Sequence, residues 1–194
     1  MRRRPEVRPS RARGCVAAAA LALLLPGAAA AGDWKVVAGK SRLGFAGDTG
    51  GTKFDGRFSR WDAQISFDPA HAEQGRVVVS VDMASAATGD TEKDQALPQA
   101  AWFDTASFPK ATLTVQSFKP RGGEDFDAIG TLVLRGAAKP IVMPVTIAVD
   151  KDTLHTTGHL DLVRTDYGVG TSVGANWVGL AVTASFDVTA VRAP

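Results

Sequence analysis

The sequence predicts an all-β domain: an antiparallel arrangement of about eight strands with one short helix. Three observations predict it. Apolar and polar residues alternate with a period of two from Trp34 to Val188, Gly, Pro and Asp clusters interrupt the alternation at short intervals, and only residues 91–103 read as helix.

The first 31 residues stand apart and are expected to be a cleaved signal peptide. Arg2, Arg3, Arg4, Arg8, Arg11 and Arg13 form a basic leader, residues 15–25 an apolar run, and Pro26-Gly27 leads to the small residues Ala29-Ala30-Ala31. The apolar run is shorter than the ~20 residues of a spanning helix, so stable membrane insertion is not expected. Export places the protein in the periplasm or outside the cell. The only cysteine, Cys15, leaves with the leader, which excludes disulfides, thiolate metal sites and thiol catalysis in the mature chain. Removing six arginines and Glu6 leaves 16 basic and 19 acidic side chains, a net charge of −3. The basic character of the full chain therefore belongs to the leader and gives no argument for nucleic-acid binding. What remains, residues 33–192, has the size of one domain with one core.

The expected strands follow in order. Residues 43–47, 52–58 and 61–67 come first, the first two separated by the turn Asp48-Thr49-Gly50-Gly51. In 76–83, Val77, Val79, Val81 and Met83 share a face. The helix follows, with Thr91 as its expected N-cap, Glu92 and Asp94 in its first turn and Pro98 limiting its length. In 111–118, Ala111, Leu113 and Val115 oppose Thr112, Thr114 and Gln116. After Pro120-Arg121-Gly122-Gly123 come 126–135 and, past Arg135-Gly136, 139–150, with Ile141, Met143, Val145, Ile147 and Val149 on one face. Residues 154–164 and 178–188 complete the set, the last with Val178, Leu180, Val182, Ala184, Phe186 and Val188 aligned.

So many strands with one helix leave a sandwich or a closed barrel, between which periodicity does not choose. A transmembrane barrel needs an apolar outward face with aromatic girdles, whereas here one face of most strands is Thr, Ser, Asp, Gln or Lys. Small residues, namely Gly56, Ala63, Ala111, Ala128, Gly130, Gly158 and Ala184, share parity with the larger apolar ones. They either leave space for a ligand or let the sheet close and bend.

A set of ordered motifs runs through the chain. Phe54-Asp55-Gly56-Arg57-Phe58 precedes Ser66-Phe67-Asp68-Pro69; Val81-Asp82-Met83 and Thr88 precede Lys93-Asp94-x-x-Leu97 and Trp102-Phe103-Asp104. Phe108-Pro109-Lys110-Ala111, Gly130-Thr131-Leu132-x-Leu134-Arg135-Gly136, Lys139-Pro140 and Leu162-x-Arg164-x-x-Tyr167-Gly168-Val169-Gly170 follow. From about Trp34 to Val191 the chain resembles the YceI family, departing from it at Lys93 and Ala96, where the family often carries Arg and a polar residue. The resemblance implies a lipocalin-like closed antiparallel barrel, periplasmic or secreted, that holds a polyisoprenoid, a quinone tail or another long-chain lipid and is not an enzyme. Beyond such a lipid no cofactor is expected.

The side chains expected to meet that ligand are Phe45, Phe54, Phe58, Val79, Val81, Leu113, Leu132, Leu160 and Leu162 in the wall, with Asp94, Trp102 and Phe103 from the helix and Arg164. Arg164 shares parity with Leu154, Leu160 and Leu162, so its guanidinium needs an anionic partner: a lipid headgroup, or Asp166 or Asp94 as a structural clamp. His155 and His159 are about 13 Å apart along a strand, too far to share a metal ion. Gly170-Thr171-Ser172-Val173-Gly174 matches a hydrolase elbow but leads into a strand, with no histidine after it, and is read as a chance match. Two other readings stay open, a solidly filled barrel whose loops bind a protein partner and an enzyme acting on such a lipid, and edge strands also allow a homodimer.

Overall fold

In a computed structural model, residues 32–193 are described; the expected leader, residues 1–31, lies outside the described residues. Eleven strands form one antiparallel sheet: β1 (Asp33–Val36), β2 (Arg42–Thr49), β3 (Thr52–Phe58), β4 (Trp61–Ser66), β5 (Arg76–Asp82), β6 (Ala86–Ala87), β7 (Lys110–Gly122), β8 (Asp125–Leu134), β9 (Ala137–Asp150), β10 (Thr153–Val163) and β11 (Ala181–Arg192). β1 and β2 lie end to end along β11, with Val36 opposite Ala190 and Arg42 opposite Asp187. β3 and β4 likewise continue each other, as do β5 and β6. Three pairs thus count as one broken strand each, and the wall is a closed meander of eight whose last strand returns to the first.

Hydroxyls hold the breaks together. Ser85 Oγ donates to the Asp82 carbonyl at 2.7 Å and accepts from the Arg60 N–H at 3.1 Å, linking two breaks. Ser41 Oγ donates to the Val37 carbonyl at 2.9 Å and accepts from the Thr189 N–H at 3.1 Å. In each case a side chain replaces ladder partners that the bend removes.

One end of the barrel is sealed. Phe67, Phe118 and Phe126 meet edge to face with centroids 5.1, 5.5 and 6.5 Å apart. The 3-10 segment Pro69–Gln74 packs against β7 and buries Ala72, and Trp34 Nε1 donates to the Phe67 carbonyl at 2.9 Å. Phe118 reaches this cluster because a bulge between Val115 and Ser117 shifts the parity of β7 by one, which the sequence reading did not include.

Two other expectations change. The helix α1 is only Thr91–Ala96; Asp90, not Thr91, caps it by accepting from the N–H groups of Glu92 and Lys93, and Pro98 ends it well before residue 103. The last strand begins at Ala181, so Leu180 does not join the inner face; it is 41% exposed, and Val178 makes only an isolated bridge to Thr49.

The small inward residues divide by kind. Gly56 and Gly158 lie directly opposite Phe45 and Phe186, whose rings fold over them. Gly130 lies under a carbonyl: a Cβ there would stand 2.1 Å from the Thr114 oxygen. Gly130→Ala is therefore expected to lower the urea midpoint by the equivalent of about 3 kcal/mol or more, with unchanged slope. Gly39→Ala, where a Cβ meets nothing within 4 Å, is expected to stay within about 0.5 kcal/mol of wild type in the same titration.

Candidate functional site: an apolar cavity

The four alanines of that inner set do something different: Ala63, Ala111, Ala128 and Ala184 line a cavity of about 230 Å³ inside the barrel. A water molecule needs only about 10–15 Å³ measured in this way, so the space is far beyond a packing defect. Val79, Leu113 and Leu160 sit in mid-strand and point inward, yet remain only half-buried, because the surface they expose faces this space. No titratable side chain is in the lining. Its only polar side-chain atoms are the Thr156 hydroxyl and the Trp61 indole nitrogen. Such a surface offers dispersion contacts and nothing to orient a polar group.

Of the residues expected from the sequence, Phe45, Phe58, Val79, Val81, Phe103, Leu113, Leu132, Leu160 and Leu162 line the cavity. Leu43, Trp61, Leu134, Val182 and Phe186 line it too and were not singled out, although each follows from the parity of its strand. Phe103 comes from the turns after α1 and packs on Phe58 at 6.3 Å, and Phe58 in turn packs on Phe45 at 5.1 Å. These rings cover the end opposite the sealed one.

Four expected residues lie outside the lining. Phe54 stacks edge-on against Phe45 at 6.4 Å, higher on the β2–β3 hairpin, with Lys93 Nζ 6.0 Å from its ring. Asp94 accepts from the Thr88 N–H at 2.6 Å and the Thr88 hydroxyl at 2.7 Å, and from the Gly89 N–H at 3.2 Å. Those bonds, Thr88's N–H first and its hydroxyl next, hold the carboxyl below the ordinary aspartate range. Trp102 stacks on Arg164, whose guanidinium carbon is 5.8 Å from the ring centroid.

Arg164 itself is only 4% exposed, but β10 ends at Val163, so it is segment 168–179 and not strand parity that buries it, and neither Asp94 nor Asp166 meets it. Its Nε donates to the Gly179 carbonyl at 3.0 Å, Nη1 to the carbonyls of Val169 and Gly170, and Nη2 to those of Val173 and Val178 at 2.9 Å each. All five N–H groups are used. The guanidinium is the hub on which the irregular segment 168–179 folds, and it has no donor left for a headgroup. Asp166 pairs instead with Lys139 at 3.6 Å. A second arginine ties this segment to the turns after α1: Arg135, on the two-residue β8–β9 turn, donates to the carbonyls of Gly168 and Ala100, and the Gly170 N–H donates to the Ala101 carbonyl at 2.8 Å. Arg135 and Gly136 both have positive φ, the pattern that matches hairpin twist.

Ser172 lies exposed within segment 168–179 and not on an elbow. His155 Nε2 lies 2.8 Å from Asp187 on the outer surface, and among the described residues no three His, Asp or Glu side chains come together.

Arg164→Lys keeps the charge but loses the fork, leaving several carbonyls without donors. It is expected to cost about 3 kcal/mol and to expose amides 168–179 to hydrogen exchange while the barrel ladder stays protected. For Asp94 the folded pKa lies below the unfolded one, so its contribution is complete above the ordinary value of 3.8 and is lost as pH falls through the lowered one. Amides 88 and 89 are expected to lose protection over that acid range, and Asp94→Asn to abolish the dependence.

The sequence profile of the YceI-like domain matches residues 34–190. A UPF0312 protein of Pseudomonas savastanoi pv. phaseolicola is 34% identical over 91 residues, 47% of either chain. Protein YceI of Escherichia coli is 34% identical over 88 residues, 45% of this chain and 46% of the relative. The chain thus spans about half the length of these curated relatives in alignment. Among solved structures, Burkholderia cenocepacia BcnA superposes with a TM-score of 0.76 at 29% identity, over 80% of this chain and 99% of that one. A polyisoprenoid binding domain from Saccharophagus degradans, implicated in plant cell wall breakdown, shares the fold with a TM-score of 0.67 at 20% identity, over 84% of this chain and 99% of that one. Because the family profile covers the barrel from its first strand to its last, the chain belongs to the YceI-like family.

Proposed function

We propose that this protein is an exported carrier that holds the long apolar tail of an isoprenoid, quinone or similar lipid inside its barrel, without transforming it. The observation that carries the reading is the cavity of about 230 Å³ whose lining has no charged group. A tail with ten buried methylenes gains on the order of 8 kcal/mol from leaving water, before ordering costs, so few polar contacts are needed. The structural kinship with a polyisoprenoid binding domain supports the ligand class. A catalytic role finds no support in the lining, which offers neither a nucleophile nor a base. The basic, apolar and small-residue order of residues 1–31 supports export.

Native mass spectrometry of the protein recovered from its exported location, with extraction of what denaturation releases, tests this directly. The expected result is one long-chain lipid per chain, unaltered on incubation. Ala111→Trp with Ala184→Trp, which fill the cavity from facing parts of the lining, are expected to reduce uptake at least tenfold while keeping the β-sheet circular dichroism. An apoprotein mass that quinones and polyprenyl lipids leave unchanged would sink the reading.

A further inference from the structure

The wall of the barrel is unpaired along a seam between β9 and β10. β9 and β10 form a ladder from Asp150 opposite Thr153 to Val145 opposite Gly158, and it stops there. Beyond that point β9 continues to Ala137 paired only with β8, and β10 continues to Val163 paired only with β11.

The cause lies in two prolines. The Ile147 N–H donates toward β8, to the Glu124 carbonyl at 2.8 Å, so odd residues of β9 aim their donors at β8 and even residues at β10. Pro140 and Pro144 are even. Continued past Gly158, the register would set His159 opposite Pro144, Asp161 opposite Val142 and Val163 opposite Pro140. Two of the three donors that β9 would offer β10 are therefore missing, in positions that proline tolerates only at a free edge.

The lips of the seam are apolar on β9 and mixed on β10, where His159 and Asp161 are exposed beside Val163. Val142 is 61% exposed, Val163 43%, and their neighbours Ile129 and Leu180 38% and 41%; these are four of the seven exposed large apolar side chains among the described residues. Behind the lips, Met143, Leu160 and Leu162 line the cavity. At the upper end the 3-10 turn Arg164–Tyr167 folds back onto β9: Tyr167 is 4% exposed, and Lys139 Nζ lies 5.9 Å from its ring and 3.6 Å from Asp166.

We propose that the β9–β10 seam is the portal through which a hydrocarbon tail enters and leaves the cavity sideways, with the Lys139–Asp166 pair and Tyr167 as its latch. This rests on the reading of the cavity as a lipid-tail site. Opening any ladder of the wall breaks main-chain hydrogen bonds, and the unpaired side of the short β6 lies at the loop-covered end. Opening the seam breaks one exposed ion pair, a weak interaction, and the Arg135 bond to the Gly168 carbonyl, and moves one tyrosine. A methylene chain crossing there meets Pro140, Val142, Pro144 and Val163 between the polar side chains of His159 and Asp161, and apolar lining behind them.

Pro140→Thr with Pro144→Thr returns both donors on the outer face. Transfer of fluorophore-tagged geranylgeraniol from phosphatidylcholine vesicles is expected to slow on the order of tenfold in both directions, with the final stoichiometry unchanged and amides 140, 142 and 144 protected from exchange. Lys139→Ala is expected to accelerate transfer about threefold, and Lys93→Ala, which breaks the exposed Lys93–Asp90 pair at the loop-covered end, to change it less than twofold. A protected seam that loads at the wild-type rate overturns the portal. So does acceleration by Lys93→Ala with none by Lys139→Ala, and where the returned donors do not pair, the Lys139→Ala arm decides alone. Failure of the wild-type protein to take up the probe at equilibrium would overturn the cavity reading itself, an endpoint separate from the rates.

Discussion

Everything else in the structure depends on the pairing of β11 with both halves of the first strand. Trp34 opposite Arg192 and Phe45 opposite Ala184 join residues from the two ends of the domain. Until that ladder forms, the chain is an open sheet with two exposed edges and a single apolar face. Once it forms, parity along each strand acquires a physical meaning, inside or outside. Because the closing contacts are the most distant in sequence, the loop-closure entropy they cost is the largest in the fold.

Closure also demands that a wide sheet bend, and the molecule bends in two ways. Three strands break and are secured by serine hydroxyls and turns, while glycines opposite phenylalanines let rings lie flat against the wall. The same inner surface uses alanine at four positions that line the open space, two of them, Ala184 and Ala128, directly opposite Phe45 and Phe118. The aromatic cluster of Phe67, Phe118 and Phe126 sets the lower limit of the cavity.

The wall was largely legible in the sequence, since alternation in 76–83, 139–150 and most of 154–164 reports directly which side chains face in. Where reading by parity failed, the cause is a feature that parity does not encode. The bulge in β7 turns Phe118 inward, and the late start of β11 leaves Leu180 outside. Arg164 was legible as a buried charge but not in its partners, because main-chain carbonyls carry no mark in a sequence. Trp102 was drawn into the site by a helix expected to run to 103, which ends at Ala96, while Asp94, inside the helix, turns to Thr88 and Gly89 instead of the cavity. The seam needed the register of two strands at once, although both of its prolines stand in plain view at 140 and 144.

Arg164 grips segment 168–179 entirely by oxygen atoms that every residue type possesses. Apart from Gly168 and Gly170, which adopt positive φ close to arginine and tryptophan atoms, that anchoring makes no demand on side-chain identity. Outside the buried Val169 and its flanking glycines, the exposed positions of the segment are consequently ones where sequence can drift, or be rewritten by an engineer, at little cost to folding. Exposed Trp177 and Ser172 occupy positions of this kind, so new specificities can be displayed there on a scaffold whose barrel never registers the change.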